Sequence, residues 1–184
     1  MKSKILSLLL LVCLIQQVSA QKKRDTLDVR FGVGMSLLGT GDMRTINFEN
    51  EINNKFSPYF SNSVSLNFGR SNWGVFETAS FIQGNLNIYW SPFRNDKRND
   101  FRIGTGLSFY NVSDAYMSFE SYSNNQLVDR DYVFENRDSF GFNLIIENTF
   151  SVTDRFLLGL KLFSQPYLNN DINSGAMLKF GVKL

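Results

Sequence analysis

After residue 26, apolar and polar residues alternate with a period of two in segments of about ten residues. The first segment has one wholly apolar face and one polar or glycine face, and its apolar positions are Leu27, Val29, Phe31, Val33, Met35 and Leu37. The last segment repeats the pattern with Ala176, Leu178, Phe180, Val182 and Leu184. This period predicts β-strands, and segments of this length are typical of strands in a transmembrane β-barrel.

Six further segments with this period lie between the first and the last, at about 58–69, 73–83, 85–92, 101–113, 137–151 and 155–165. The segment at 73–83 carries apolar residues on both faces, which predicts a bulge or a mixed face there. The total of eight predicts an all-β fold: an eight-stranded antiparallel transmembrane β-barrel with up-and-down meander order, over residues 27–184.

The connections between these segments predict a topology. Long or hairpin-tipped connections are expected at 39–57, at a tight turn on Gly84, at 114–136 and at 166–172, and short turns at 70–72, 93–100 and 152–154. Within the first of these, Phe48, Ile52 and Phe56 are four residues apart, which predicts a short helix on the rim. Aromatic residues expected at the short-turn interface are Phe68, Trp73, Trp90, Phe93, Phe101, Phe150 and Phe156.

The first 20 residues have the pattern of a cleavable signal peptide. Lys2 and Lys4 precede an apolar stretch at 5–15, and small residues end at Ala20. Cleavage there leaves 164 of the 184 residues, with a short N-terminal tail at 21–26 before the barrel domain. We therefore expect an exported chain.

The composition excludes several kinds of chemistry. The sequence has no histidine, and its one cysteine, Cys13, leaves with the signal peptide. Zinc sites of the His/Cys type, haem ligation, thiol catalysis and Ser-His-Asp triads are therefore excluded, and we expect no catalysis, cofactor or metal. Loss of Lys2 and Lys4 leaves 17 basic and 17 acidic residues, so the neutral mature chain is not expected to bind nucleic acid.

Charged residues also fall on the face opposite the apolar one, among glycines. These are Arg30, Glu77, Arg102, Glu147, Lys161 and Lys179. A soluble β-sandwich also shows alternation and turns, but long charges among small residues favour the lumen of a narrow barrel. We predict a buried network of paired charges, with glycines such as Gly32 and Gly104 packing the lumen rather than forming a phosphate loop.

Several passages resemble the small eight-stranded outer-membrane β-barrel proteins of the Bacteroidota type (outer membrane protein beta-barrel domain). They are Asn85–Phe93 (NLNIYWSPF), Phe101–Phe109 (FRIGTGLSF), Asp154–Leu160 (DRFLLGL), Gln165–Tyr167 (QPY) and Ser174–Leu184 (SGAMLKFGVKL). The resemblance implies an outer-membrane location, contact with lipid and lipopolysaccharide, insertion by the barrel-assembly machinery and a monomeric state. The closing strand is similar to the assembly signal of such barrels, although Leu184 stands where an aromatic residue is more usual.

The connection at 114–138 is the most promising place for recognition. Its aromatic residues, which flank a polar turn, are Tyr116, Phe119, Tyr122, Tyr132 and Phe134. Six acidic against two basic residues give it a net charge of −4, which also allows divalent-cation bridging to lipopolysaccharide. Two interpretations stay open: a hairpin that continues both strands about 30 Å outward and offers an edge to a protein partner, or a mobile acidic loop.

These patterns favour a structural anchor that displays extracellular loops for interaction or adhesion. The alternative is a narrow ion or small-solute conduit, although eight strands enclose a space that side chains can fill. An enzyme is the least favoured class, because the enzymatic barrels of this membrane use a histidine that the chain lacks.

Overall fold

The computed structural model describes residues 27–39, 43–72, 77–123 and 126–184, and there the chain forms a closed antiparallel barrel in meander order. The eight strands are β1 (Leu27–Leu38), β2 (Met43–Lys55), β3 (Phe60–Asn72), β4 (Glu77–Trp90), β5 (Asn99–Ser123), β6 (Gln126–Ser151), β7 (Phe156–Pro166) and β8 (Ile172–Lys183). β1 closes the barrel on β8, with Phe31 opposite Phe180. The expected signal peptide and N-terminal tail lie outside the described residues.

The burial pattern of the barrel is the reverse of that in a soluble protein. In β2, Glu51 and Asn53 are 1% and 0% exposed, whereas Ile52 between them is 55% exposed. Polar side chains fill the lumen and apolar side chains cover the outer wall, as a hydrocarbon environment requires. Within the described ranges, no helix is long and apolar enough to cross a membrane.

The prediction of a loop with a short helix at 39–57 is wrong, because residues 43–55 form β2. The four-residue spacing of Phe48 and Ile52 also fits a period of two, which places both side chains on the wall. Asn50 lies between them on the same outer face and interrupts the apolar pattern. Polar residues on the outward face, with Asn50 in the middle of the strand and Arg44 and Asn54 near its ends, therefore obscured the pattern of β2.

The predicted turn at Gly84 is also wrong, because β4 runs without interruption from Glu77 to Trp90. Gly84 faces outward between Ile82 and Leu86, and a Cβ atom there would have no atom within 4 Å. The pairings of β4 with β3 and β5 show no register shift, so the apolar residues at 79 and 81 face the lumen rather than mark a bulge. The prediction missed β2 and counted β4 as two strands. These two errors compensate, so the predicted total of eight strands is confirmed.

The connections separate two ends of the barrel, which we call the inner end and the outer end. The inner end carries Leu27, Lys183 and the connections 56–59, 91–98 and 152–155, whereas the outer end carries the connections after β1, β3, β5 and β7. Of the connections expected at the outer end, 166–172 is confirmed as the connection 167–171 and 114–136 as part of a long hairpin, whereas the predicted turn at 70–72 is wrong because β3 continues through Asn72. Only β5 and β6, with 25 and 26 residues, extend far beyond the wall.

Most of the predicted aromatic belt lies at the inner end. Five of its seven members, Trp90, Phe93, Phe101, Phe150 and Phe156, lie at or beside the inner ends of their strands. Phe68 lies instead toward the outer end of β3, paired with Ile82, and Trp73 is outside the described residues. The inner end therefore has the aromatic residues of a membrane interface.

Candidate functional sites in the lumen and on the outer hairpin

The inner half of the lumen holds eight charged side chains, four acidic and four basic, which we call the lumen charge cluster. They come from six strands and are each at most 2% exposed: Asp28, Arg30, Glu49, Glu51, Arg102, Glu147, Lys161 and Lys179. Equal numbers of both signs make the cluster neutral. A neutral, fully paired cluster is the condition under which charges can remain buried.

Glu147 lies at the centre of this cluster. Its Oε1 atom accepts hydrogen bonds from Arg30 Nη1 at 2.5 Å, from Arg102 Nη2 at 2.8 Å and from Thr149 Oγ1 at 3.1 Å. Its Oε2 atom lies 3.5 Å from Lys179 Nζ. One carboxylate on β6 therefore holds bases from β1, β5 and β8.

The two lysines bind the acids of β2. Lys161 Nζ donates to Glu49 Oε1 at 2.5 Å, and Lys179 Nζ lies 3.1 Å from Glu49 Oε2. Lys179 also donates to Glu51, which accepts a second bond from Arg102 at 3.2 Å. These contacts join β2 to β5, β7 and β8 across the lumen.

Arg102 also stacks on Tyr89, with its guanidinium carbon 3.7 Å from the ring centroid. The ring lies over Gly104, its partner on β5, and a Cβ atom at that position would come within 2.5 Å of the ring. Glycine is therefore required for the Tyr89 ring to lie flat against β5, as the packing interpretation of Gly104 expected.

The structure brings together five of the six predicted charges of the network, Arg30, Arg102, Glu147, Lys161 and Lys179. Glu77 begins β4 at the outer end, paired with Tyr116, and its side chain lies outside the described residues. Sequence reasoning missed Asp28, and also Glu49 and Glu51, because β2 was interpreted as a loop. The alternation Thr45, Asn47, Glu49, Glu51, Asn53 was the signal that could have found the two glutamates.

The outer half of the lumen holds amides and then apolar side chains, together with the buried carboxylates of Asp114 and Asp171, each 6% exposed. Gln83 Nε2 donates to Gln165 Oε1 at 2.9 Å, and Asn143 Nδ2 donates to Asn87 Oδ1 at 2.6 Å. Beyond the amides lies a buried apolar cap that consists of Leu38, Met43, Ala79, Phe81, Tyr110, Val112 and Tyr167. Among the described residues, no group of three or more acidic side chains could hold a metal ion. The lumen thus consists of successive layers of side chains.

β5 and β6 form one continuous antiparallel ladder beyond the barrel, which we call the outer hairpin. β4 pairs with β5 only as far as Tyr116, while β5 and β6 remain paired up to Ser123 and Gln126. The predicted outward continuation of both strands is therefore confirmed. At the base of the outer hairpin, Arg137 Nη2 donates to Asp114 Oδ2.

A β-bulge divides the aromatic residues of the outer hairpin between its two faces. The register passes from Met117 opposite Tyr132 to Phe119 opposite Asp131, so Ser118 is the extra residue. Tyr132 and Phe134 therefore lie on the face that continues the outer wall, and Tyr116 and Phe119 lie on the other. The Tyr122 side chain is outside the described residues, and the other four predicted aromatics are 37–79% exposed.

Solved structures with the same architecture show which fold this is. Neisserial surface protein A superposes with a TM-score of 0.62 at 10% identity, covering 86% of this chain and 96% of that one. The attachment invasion locus protein of Yersinia pestis gives a TM-score of 0.57 at 11% identity, covering 86% and 99%. This is the fold of small outer-membrane β-barrels. The outer membrane protein OprG of Pseudomonas aeruginosa also has it, with a TM-score of 0.57 at 9% identity, covering 86% and 96%.

The apolar wall of the barrel agrees with these comparisons, which show the fold of outer-membrane β-barrels. The names of these three proteins refer to attachment, to the cell surface and to the outer membrane, and not to catalysis. No protein-family profile matches the chain. No curated protein matches it significantly.

Proposed function

We propose that this protein is an outer-membrane anchor that displays the outer hairpin to a partner outside the cell. The proposal rests on the length of β6 that pairs with β5 but has no described strand beside its other edge. β6 pairs with β7 from Leu144, with one further bridge between Gly141 and Tyr167. Gly141 and Gln126 are fifteen positions apart, which is about 50 Å of strand at roughly 3.3 Å per residue.

One edge of this strand offers backbone hydrogen bonds. Leu168 N donates to Phe140 O at 2.9 Å, so the backbone of Phe140 points away from β5. Because this direction alternates along a strand, the same holds for Asp138, Asn136 and Phe134, and none of them pairs with another described strand on that side. Such an edge can accept an added strand from a partner protein.

The side chains of the outer hairpin also favour recognition over barrel stability. Phe134 is 79% exposed and Phe119 is 57% exposed, and they lie among residues with a net charge of −4. Exposed aromatic side chains on a rigid scaffold are typical of binding surfaces. The likeness to the attachment invasion locus protein fits this role.

The conduit is less well supported, because a neutral cluster of paired charges and an apolar cap fill the lumen. In this proposal the protein is a monomer of the Bacteroidota type of these barrels. It contacts lipid and lipopolysaccharide, reaches the membrane through the barrel-assembly machinery, and binds neither nucleic acid nor a cofactor.

Deletion of the outer hairpin tests the proposal. Replacing residues 115–134 by Asn-Gly joins Asp114 to Glu135, which face each other and whose backbone groups point toward one another, so the remaining ladder keeps its register. We expect the variant to fold with the heat-resistant mobility of a closed barrel and to lose binding to partner proteins or cell surfaces.

Photo-cross-linking from position 134 in whole cells, compared with the lipid-facing position 107, shows whether contacts depend on the outer hairpin. Adducts that form at 134 but not at 107 support the proposal. A deletion variant that folds and keeps every adhesive contact of the full chain refutes it.

A further inference from the structure

We propose that the inner end carries a binding site for one anionic phospholipid. A polar cavity of about 310 Å³ opens there between the β4–β5 connection, the β6–β7 connection and the end of β8. Three basic residues, Lys97, Arg98 and Lys183, line it together with Ser151 and Thr153. Guanidinium, ammonium and hydroxyl donors around one cavity are the groups that bind a phosphate diester.

The structure holds the basic side chains at this cavity. Arg98 Nε donates to Ser151 O at 3.2 Å, and its guanidinium lies 5.5 Å from the centroid of the Phe150 ring. Lys183 Nζ donates to Ser151 Oγ at 2.9 Å. Lys97 forms no ion pair with another described residue, so its ammonium group is available to a ligand.

The charge balance of the cavity favours an anion. Its two acids are Asp96 and Asp154. Asp96 is bound by Arg94 at 2.7 Å, which leaves Asp154 as the acid opposite three bases. The local excess of positive charge favours a headgroup that carries a net negative charge over a zwitterionic one.

An apolar groove of about 650 Å³ continues from this cavity along the outer wall. Thr153 lines both, so a ligand can occupy the two at once. Val29 and Val182 lie in the groove, with Phe31, Phe156 and Phe180 around them. A polar cavity at the level of the aromatic belt, joined to an apolar groove on the wall, has the arrangement of a phospholipid with its headgroup at the interface and an acyl chain in the membrane.

The site lies at the inner end, opposite the outer hairpin. This position separates the site from lipopolysaccharide. Lipopolysaccharide belongs to the leaflet at the hairpin end, whereas the inner end faces the phospholipid leaflet. The occupant is therefore an anionic glycerophospholipid, for which phosphatidylglycerol is the probe.

Native mass spectrometry of the full-length mature protein with equimolar phosphatidylglycerol and phosphatidylethanolamine tests the site. We expect retention of phosphatidylglycerol to exceed that of phosphatidylethanolamine by at least fivefold. Arg98→Gln and Lys183→Gln should each lower this preference by about fivefold, the effect of one basic residue near an anionic lipid. Arg70→Gln, the same charge change at the outer end of β3, should leave it unchanged.

Two further variants distinguish the site from a general effect of charge or folding. Asp154→Asn should raise the preference for phosphatidylglycerol, a gain that a misfolded protein cannot give. Val182→Phe fills the groove with another apolar side chain and should lower retention of both lipids alike.

Equal retention of the two lipids by the wild type, or an equal loss in Arg70→Gln, overturns the proposal. The hairpin-deletion variant should retain the lipid, so this result and the test of the proposed function are independent.

Discussion

Replacing Glu147 with glutamine should lower the free energy of unfolding by about 3–5 kcal/mol, the usual cost of breaking a buried ion pair. The substitution keeps the shape of the side chain but leaves the lumen charge cluster with one excess positive charge. The amide oxygen can keep the bonds from Arg30 and Arg102, which now lie 2.5 and 2.8 Å from Oε1 of the carboxylate, but the NH2 group then faces the ammonium group of Lys179, 3.5 Å from Oε2. Both effects act among side chains that are at most 2% exposed.

Urea unfolding in phospholipid vesicles measures this loss, with the fluorescence of the two tryptophans, one of them Trp90 on the outer wall, as the signal. At a slope of about 2 kcal/mol per molar urea, the midpoint should fall by about 2 M. Asp131→Asn removes an equal charge from the exposed outer hairpin and should change stability by less than about 0.5 kcal/mol.

A compensating variant tests whether neutrality of the cluster is the cause. Lys179→Met combined with Glu147→Gln restores equal numbers of acids and bases, so the double variant should lose less stability than the sum of the two single variants. Additive losses, or a loss below about 1 kcal/mol for Glu147→Gln alone, would refute the reasoning, because the carboxylate would then not act as a buried counter-charge.

Two more predictions concern packing and conduction. Gly104→Ala should destabilise the barrel by about 1–3 kcal/mol in the same urea assay, because its Cβ atom would come within 2.5 Å of the Tyr89 ring. The matched control Gly84→Ala places a Cβ atom where nothing lies within 4 Å and should leave stability unchanged. If both variants changed stability equally, strand propensity and not contact with the Tyr89 ring would be the cause. Purified protein in planar bilayers should show no stable large-conductance steps, since the apolar cap and the charge cluster fill the lumen; steady nanosiemens openings would favour the conduit instead.

The period of two was enough to predict the class of fold, because it records which side chains meet lipid and which meet the lumen. The prediction of strands failed where a residue interrupted this alternation. Asn50 on the lipid-facing side concealed β2, and Gly84, which has no side chain on either face, was taken for a turn. Both errors arise because single residues on a barrel wall are tolerated without any change in backbone pairing.

The lumen contacts were predictable only in part. Alternation showed that Arg30 and Glu147 face inward, but it could not show that they bind each other, since they are 117 positions apart in the chain. Contacts of this kind depend on the stagger of all strands around the barrel, which no local pattern contains. The same limit applies to the bulge at Ser118, which divides the hairpin aromatics between two faces.

The origin of the lumen charges in six strands determines how the barrel can assemble. Arg30 on β1 depends on Glu147 of β6, and Lys179 on β8 supplies a counter-charge to Glu51 of β2. A sheet that is not yet closed would carry these ions uncompensated in lipid, at several kcal/mol each. Insertion into the membrane and closure of the barrel are therefore coupled in one cooperative step. A partly formed barrel is not stable in the bilayer. A chain that stops before β8 lacks Lys179, which pairs with Glu49, Glu51 and Glu147, and its lumen would carry an excess of negative charge, so only the complete set of strands persists in the membrane.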